Sequence, residues 1–273
     1  MLYSFGSGSD GAFPFGSMIF DSKGELYGTT AYGGSSGGGT VFQLSPPTSS
    51  GGSWAETVLY SFGGTGDGAH PRASLILGSN GDLYGTTAYG GGTSNDGTVF
   101  QLAPSTTGNG WTETVLYRFK GGTTDGALPY APLIFGSGDL YGTTYGGGTS
   151  SVGTVFQLAP STTGGSWTET VLYSFKGGTT DGANPAAALI LGSGDLYGTT
   201  YGGGTSSVGT VFQLAPSTTG GSWTETVLHS FGGTGDGAHP FAPLILGSNG
   251  DLYGTTAYGG GTSNDGTVFK IVL

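Results

Sequence analysis

Five aspartates and five tyrosines recur at matching places along this chain, and they are the side chains best spaced to do chemistry. Asp10, Asp67, Asp125, Asp181 and Asp236 each open an Asp-Gly-Ala run, while Tyr32, Tyr89, Tyr145, Tyr201 and Tyr258 each precede a Gly-Gly pair. A ring of carboxylates could hold a hard cation through oxygen ligands. The simpler reading is a turn at each Asp-Gly, with the carboxylate accepting backbone N–H bonds. The tyrosines could stack on sugar rings, or could wedge between packed sheets.

Other polar groups carry weaker signals. His70 and His239 stand where other repeats have Phe13, Leu128 and Asn184, and a position open to such replacements is unsuited to catalysis. His229 replaces a tyrosine and reads as a packing substitution. Glu56, Glu113, Glu169 and Glu225 share a strand with tryptophan and are expected on the outer rim. The Ser79-Asn80-Gly81-Asp82 stretch lacks the ligand count of a calcium loop and reads as a hairpin turn. An enzyme needs acid, base and orienting group in different environments, whereas near-equivalent copies do not separate their pKa values. Repetition instead favours multivalent binding. A non-catalytic binding or structural module is therefore expected, with no catalytic residue, metal or cofactor. A carboxylate-based glycoside hydrolase or lyase is one alternative. A purely structural or engineered symmetric scaffold with no ligand is the other.

Composition narrows the partners. The chain carries 17 acidic and 6 basic residues, a net charge of −11, with no basic stripe for phosphates. Nucleic acid and anionic membrane surfaces are disfavoured. Cysteine is absent, which excludes disulfides and thiolate sites. No apolar run approaches the roughly 20 residues of a membrane helix. Met1 leads straight into repeat sequence, so no signal peptide is expected.

The elements that position these groups recur at a fixed period, the mark of a repeat architecture. Tyr27, Tyr84, Tyr141, Tyr197 and Tyr253 of the Leu-Tyr-Gly-Thr-Thr motif are 57, 57, 56 and 56 residues apart. One period holds four strand-like runs. Residues 73–77 are continuously apolar and suit a strand buried on both faces. Asn80-Gly81 favours a tight turn with positive φ angles, so residues 82–87 return as the second strand. Residues 97–102 form the third. After the polar connection 105–110, residues 111–119 form the fourth, with Trp111, Glu113, Val115, Tyr117 and Phe119 on one side. Five four-stranded antiparallel meanders are expected to make one five-bladed β-propeller over residues 1–273. The ring is expected to close by pairing residues 2–5 beside 267–272, which removes two sheet edges. A monomer follows. By strand alternation, the aspartate and tyrosine loops fall at the same end of each blade.

The order Asp-Gly-Ala-x-Pro, Leu-Tyr-Gly-Thr-Thr, Tyr-Gly-Gly, Gly-Thr-Val-Phe, Trp and Val-Leu-Tyr-Ser-Phe resembles the Gloeobacter/Verrucomicrobia (GloVer) tandem repeats of bacterial proteins. The likeness covers essentially the whole chain. It implies an extracellular or cell-surface origin and no particular activity. Carbohydrate is the expected ligand class.

Overall fold

The computed structural model describes residues 1–273 except 7, 8, 65, 106–109, 162–165, 218–220 and 234. Among the described residues there is no helix, and every element is a β-strand. The chain divides into two compact units, Met1–Phe119 and Lys120–Leu273.

The first unit holds two four-stranded antiparallel sheets whose spatial order follows the chain. One is Ile19–Phe20, Leu26–Thr30, Thr40–Ser45 and Ala55–Ser61; the other is Ile76–Leu77, Leu83–Thr87, Thr98–Pro104 and Trp111–Arg118. The second unit repeats this with Ile134–Gly136, Asp139–Thr144, Thr154–Ala159 and Thr168–Ser174, then Ile190–Gly192, Asp195–Thr200, Thr210–Pro216 and Trp223–Ser230. Its last sheet has three strands, Ile245–Leu246, Leu252–Thr256 and Thr267–Ile271. These up-and-down meanders are built like propeller blades.

Four expectations need correction. The first strand is only two or three residues long, and Phe20, Phe135, Leu191 and Leu246 at its end are exposed. It is covered on one face only, because the residues before it turn toward the neighbouring sheet: the Thr29 hydroxyl donates to the Ala73 carbonyl at 2.9 Å. The Asn80-Gly81 turn is not the two-residue type. Gly78 and Asp82 close it, Gly81 N–H bonds back to the Gly78 carbonyl, and of the pair only Gly81 has a positive φ, +87°. The two-residue geometry appears instead at Ser137-Gly138, where both φ angles are positive at 54° and 92°, as that turn type requires.

The fourth strand does not keep one stripe. Val99 faces Tyr117 and Phe100 faces Val115, so Leu116 is the extra residue of a β-bulge. Val115 and Tyr117 therefore fall on opposite faces. The expected ladder between residues 2–5 and 267–272 is also absent. Residues 1–6 form no strand, and Thr267–Ile271 pairs with Leu252–Thr256 alone. Tyr3 and Phe5 instead pack on Leu26, Phe42 and Leu44, with the Phe5 and Phe42 rings edge-on at 5.0 Å. Of the polar connection 105–110, residues 106–109 lie outside the described residues.

The glycine of Leu-Tyr-Gly-Thr-Thr is a packing requirement. A Cβ on Gly142 would come within 2.6 Å of Phe156 Cζ, and Gly28, Gly85 and Gly198 meet Phe42, Phe100 and Phe212 at the same 2.6 Å. Those phenylalanines are buried. Gly142→Ala is expected to destabilise by about 1–3 kcal/mol through overpacking, read as a lower thermal midpoint. An unchanged midpoint would mean that the ring can move aside. Deleting residues 1–5 uncovers Phe42 and is expected to lower the midpoint as well.

Candidate ligand-binding face

The two recurrent loops meet by backbone pairing. Gly11 pairs with Gly33 and Ala12 with Tyr32 in a two-residue antiparallel ladder, and all five repeats form its counterpart. The glycine of Asp-Gly-Ala makes this possible. A Cβ on Gly11 or Gly68 would overlap the Thr30 or Thr87 side chain. That threonine, the last residue of Leu-Tyr-Gly-Thr-Thr, is a hydrogen-bond hub. Thr30 Oγ1 donates to the Tyr32 carbonyl at 2.9 Å, accepts the Thr40 N–H at 3.2 Å and lies 2.8 Å from Thr40 Oγ1.

The five aspartates anchor these loops. Asp10 Oδ1 accepts the Gly11 N–H at 2.7 Å, and its Oδ2 accepts the Gly6 N–H and the Tyr3 hydroxyl, both at 3.1 Å. Asp181 accepts Gly182 N–H at 2.6 Å, Lys176 N–H at 2.8 Å and the Tyr173 hydroxyl at 2.9 Å. Asp125 bonds Gly126 and Lys120 N–H in the same way. Asp67 accepts Gly63 N–H and Tyr60 hydroxyl, and Asp236 accepts Gly237 and Gly232 N–H. Each carboxylate thus ties the segment before it, the end of a fourth strand or, for Asp10, residues 3–6, to the loop that follows, the turn arrangement. Among the described residues no group of three or more His, Asp or Glu is placed to hold a metal ion. His229 does more than pack: its Nε2 lies 3.0 Å from Asp236 Oδ2, the place that the hydroxyls of Tyr3, Tyr60 and Tyr173 take at Asp10, Asp67 and Asp181.

The tyrosines fall into two registers. Tyr32, Tyr89 and Tyr258 pair with the alanine of the facing loop, but in the third and fourth repeats Gly146 and Gly202 take that place. Tyr145 and Tyr201 are one position earlier, where the others have a small alanine. Tyr32 and Tyr258 are exposed; Tyr89, Tyr145 and Tyr201 are half-buried. The sequence alone treats the five as equivalent because each precedes Gly-Gly.

Beside each tyrosine stands a residue the sequence set aside. Phe13, His70, Leu128, Asn184 and His239 all adopt left-handed φ angles of 54° to 59°, a strained conformation for bulky side chains. All five share one backbone bond, in which their carbonyl accepts the N–H of the residue after Leu-Tyr-Gly-Thr-Thr, as Ala31 N–H bonds Phe13 at 3.1 Å, and three of them add a side-chain clasp on the preceding loop. His70 Nδ1 donates to the Ala31 carbonyl at 2.7 Å, Asn184 Nδ2 to Tyr145 at 2.9 Å and His239 Nδ1 to Tyr201 at 2.9 Å. The rings then form continuous aromatic strips. In the first unit Phe15, Phe13, Tyr32, His70 and Tyr89 follow one another with centroids 4.6 to 6.2 Å apart. In the second unit Tyr201 contacts His239 at 4.3 Å and Phe241 at 4.7 Å, and His239 meets Tyr258 at 5.8 Å. Phe13, Phe15 and Phe241 are exposed. A signal was present: residues 62–100 and 231–269 differ only at Arg72/Phe241 and Ser74/Pro243, and the first of these pairs lies on the strip.

The glutamates lie on the edge strand of each sheet, half-buried. Glu113 sits opposite the buried Leu102, and Glu225 opposite Leu214. Oε1 of Glu56, Glu113 and Glu225 is buried without a hydrogen-bond partner. Burial, with the Asp67 charge second, pushes the Glu113 carboxyl up to about 7, although Arg118 pulls it down. Burial and Asp181 do the same to Glu225, also to about 7, against Lys176. Burial, then the neighbouring carboxylates, also raises the hydroxyls of Tyr60 and Tyr173. The folded state therefore holds protons that the unfolded chain releases near 4.5, and stability falls as pH rises from about 4.5 to about 7. Glu113→Gln and Glu225→Gln are expected to flatten this fall, on the order of 1 kcal/mol per site after solvent screening. Thermal midpoints at pH 5 and pH 8 check it; an unchanged slope would refute the assignment.

Two solved structures share the fold. PorZ of Porphyromonas gingivalis, an essential bacterial surface component of the type-IX secretion system, matches with a TM-score of 0.54 at 16% identity, over 99% of this chain and 34% of that one. Trypanosoma rangeli sialidase matches with a TM-score of 0.51 at 11% identity, over 96% of this chain and 47% of that one. The chain thus spans between a third and a half of the length of these structures. At such identities the likeness concerns the fold alone. No curated protein matches the sequence. The repeated motifs have a clear counterpart, however: the Gloeobacter/Verrucomicrobia repeat matches residues 1–134 and 107–273, and the chain belongs to that family.

Proposed function

We propose that this chain is a non-catalytic carbohydrate-binding module, acting outside the cell or at its surface, with its five sheets as blades of one propeller-type body. The observation that carries this reading is the exposed aromatic strip. Phe13, Phe15 and Tyr32 in the first unit stand beside one another, and in the second Phe241 and Tyr258 flank the Tyr201–His239 pair. Aromatic faces suit the apolar faces of sugar rings, and the tyrosine hydroxyls supply polar contacts at the margin. The aspartates hold the loops; the tyrosines meet the ligand. Several weak platforms on one chain gain through avidity. The surface location is supported by the family resemblance and by PorZ, a surface component with a related fold.

A second reading has one observation in its favour. Glu113, with its carboxyl raised to about 7, lies within reach of the Asp67 charge, and carboxyls in unlike environments are the ingredients of glycoside hydrolysis. It is weaker, because Asp67 is committed to Gly63, Gly64 and Tyr60.

A glycan array is expected to show binding that Tyr32→Ala and Tyr258→Ala each weaken by up to about tenfold, the scale of one aromatic contact. Silence across the array would remove the proposal. Release of reducing sugar from any arrayed glycan, abolished in Glu113→Gln, would replace it with the hydrolase.

A further inference from the structure

Consecutive sheets of the first unit meet in a joint where Tyr27 and Val41 of one pack with Leu75, Leu83, Phe100 and Leu102 of the next, and the second unit repeats it. The segment that enters this joint is Pro71-Arg72-Ala73-Ser74-Leu75, along which buried and half-buried residues alternate. Pro71, Ala73 and Leu75 face the core, and the Thr29 hydroxyl holds the Ala73 carbonyl at 2.9 Å. The backbone on both sides of Arg72 is therefore fixed, and its side chain goes to the aromatic strip. The guanidinium carbon lies 6.0 Å from the centroid of Phe15 and 6.0 Å from that of Tyr89, the two end members of that strip. Phe15, Phe13, Tyr32, His70, Tyr89 and Arg72 thus make a closed circuit of contacts around one cation.

The position after this proline belongs to the strip in other repeats as well. Tyr130 meets Tyr145 at 5.3 Å, and Phe241 meets Tyr201 at 4.7 Å. Its occupants are Phe15, Arg72, Tyr130, Ala186 and Phe241, of which Arg72 alone is charged. Packing does not call for that charge. The fifth repeat, which differs from the second over residues 62–100 only here and at Ser74/Pro243, accepts a phenylalanine. A guanidinium stacks on rings through its faces, while its five N–H donors lie in its plane and match both oxygens of a carboxylate. The net charge of −11 opposes an anionic ligand. Exposed charges more than about 8 Å away are largely screened at physiological salt, however, so a direct guanidinium contact outweighs them.

We propose that Arg72 makes the aromatic strip of the first unit selective for an acidic saccharide, one whose ring carries a carboxylate. The sugar ring rests on the aromatic side chains and its carboxylate takes two guanidinium N–H donors. The strip of the second unit, with Phe241 in the matching place, lacks that selectivity. This inference rests on the saccharide reading above and adds the charge of the ligand to it.

Calorimetric titration with trigalacturonate, and with its fully methyl-esterified and therefore uncharged form, tests it. The unaltered chain is expected to bind the acid about tenfold more tightly than the ester, the scale of a partly exposed charge-assisted hydrogen bond. Arg72→Phe, which installs the residue that the fifth repeat already carries, is expected to bind acid and ester alike. Thermal unfolding checks that this variant is folded, and Arg72→Gln takes its place if it is not. Equal affinity for the two forms in the unaltered chain, or a preference for the acid that survives Arg72→Phe, would overturn the inference and leave the saccharide reading standing. Binding of neither form would also overturn it, and the glycan array then decides the saccharide reading separately.

Discussion

A phenylalanine ring lying on a glycine is the constraint on which the rest of this structure depends. In each sheet the third-strand phenylalanine rests where the second-strand glycine has no side chain, with Gly254 and Phe269 completing the series. The pairing Gly85 opposite Phe100 sets the register of the two central strands. A slip of one residue would send every side chain to the other face. It would also put Thr86 or Tyr84 under the ring. The faithful recurrence of Leu-Tyr-Gly-Thr-Thr follows from this packing and needs no functional cause.

The loops are held by a second layer of the same logic. Once the register is set, Thr30, Thr87 and their counterparts stand at the end of the second strand with a hydroxyl that satisfies three neighbours. The glycine of Asp-Gly-Ala lies flat on that threonine, and the aspartate collects the N–H groups that the bend leaves open. The cost appears one residue later, where Phe13, His70 or Leu128 is forced into a left-handed conformation. Strain of this kind persists only where surrounding bonds over-determine it. Here the Ala31 N–H bonded to the Phe13 carbonyl, and the His70 ring bonded to the Ala31 carbonyl, do so. Repetition of the scaffold and variation of the side chain at this one position give each repeat its own loop surface.

Charge is handled differently at the joints. A chain of net charge −11 places glutamates beside aspartates on faces that pack together, and the glutamates respond by keeping their protons toward neutral pH. A protonated carboxyl is compatible with the apolar contact that joins consecutive sheets.

What the sequence determined by itself was the repeat, the four strand positions within it, and the meeting of the aspartate and tyrosine loops. Each follows from local periodicity, since alternation of strand direction puts those loops at one end whatever else the chain does. The residues decided by tertiary structure were those whose environment comes from another repeat. Glu113 reads as a rim residue until it is seen opposite the buried Leu102, with its Oε1 buried. His70 reads as an idle substitution until a carbonyl 39 residues away accepts its proton. Tyr145 and Tyr32 look alike in sequence, yet one missing alanine shifts the ladder by a residue. Burial and long-range hydrogen bonds are set by packing between repeats, and a period read along one chain does not contain them.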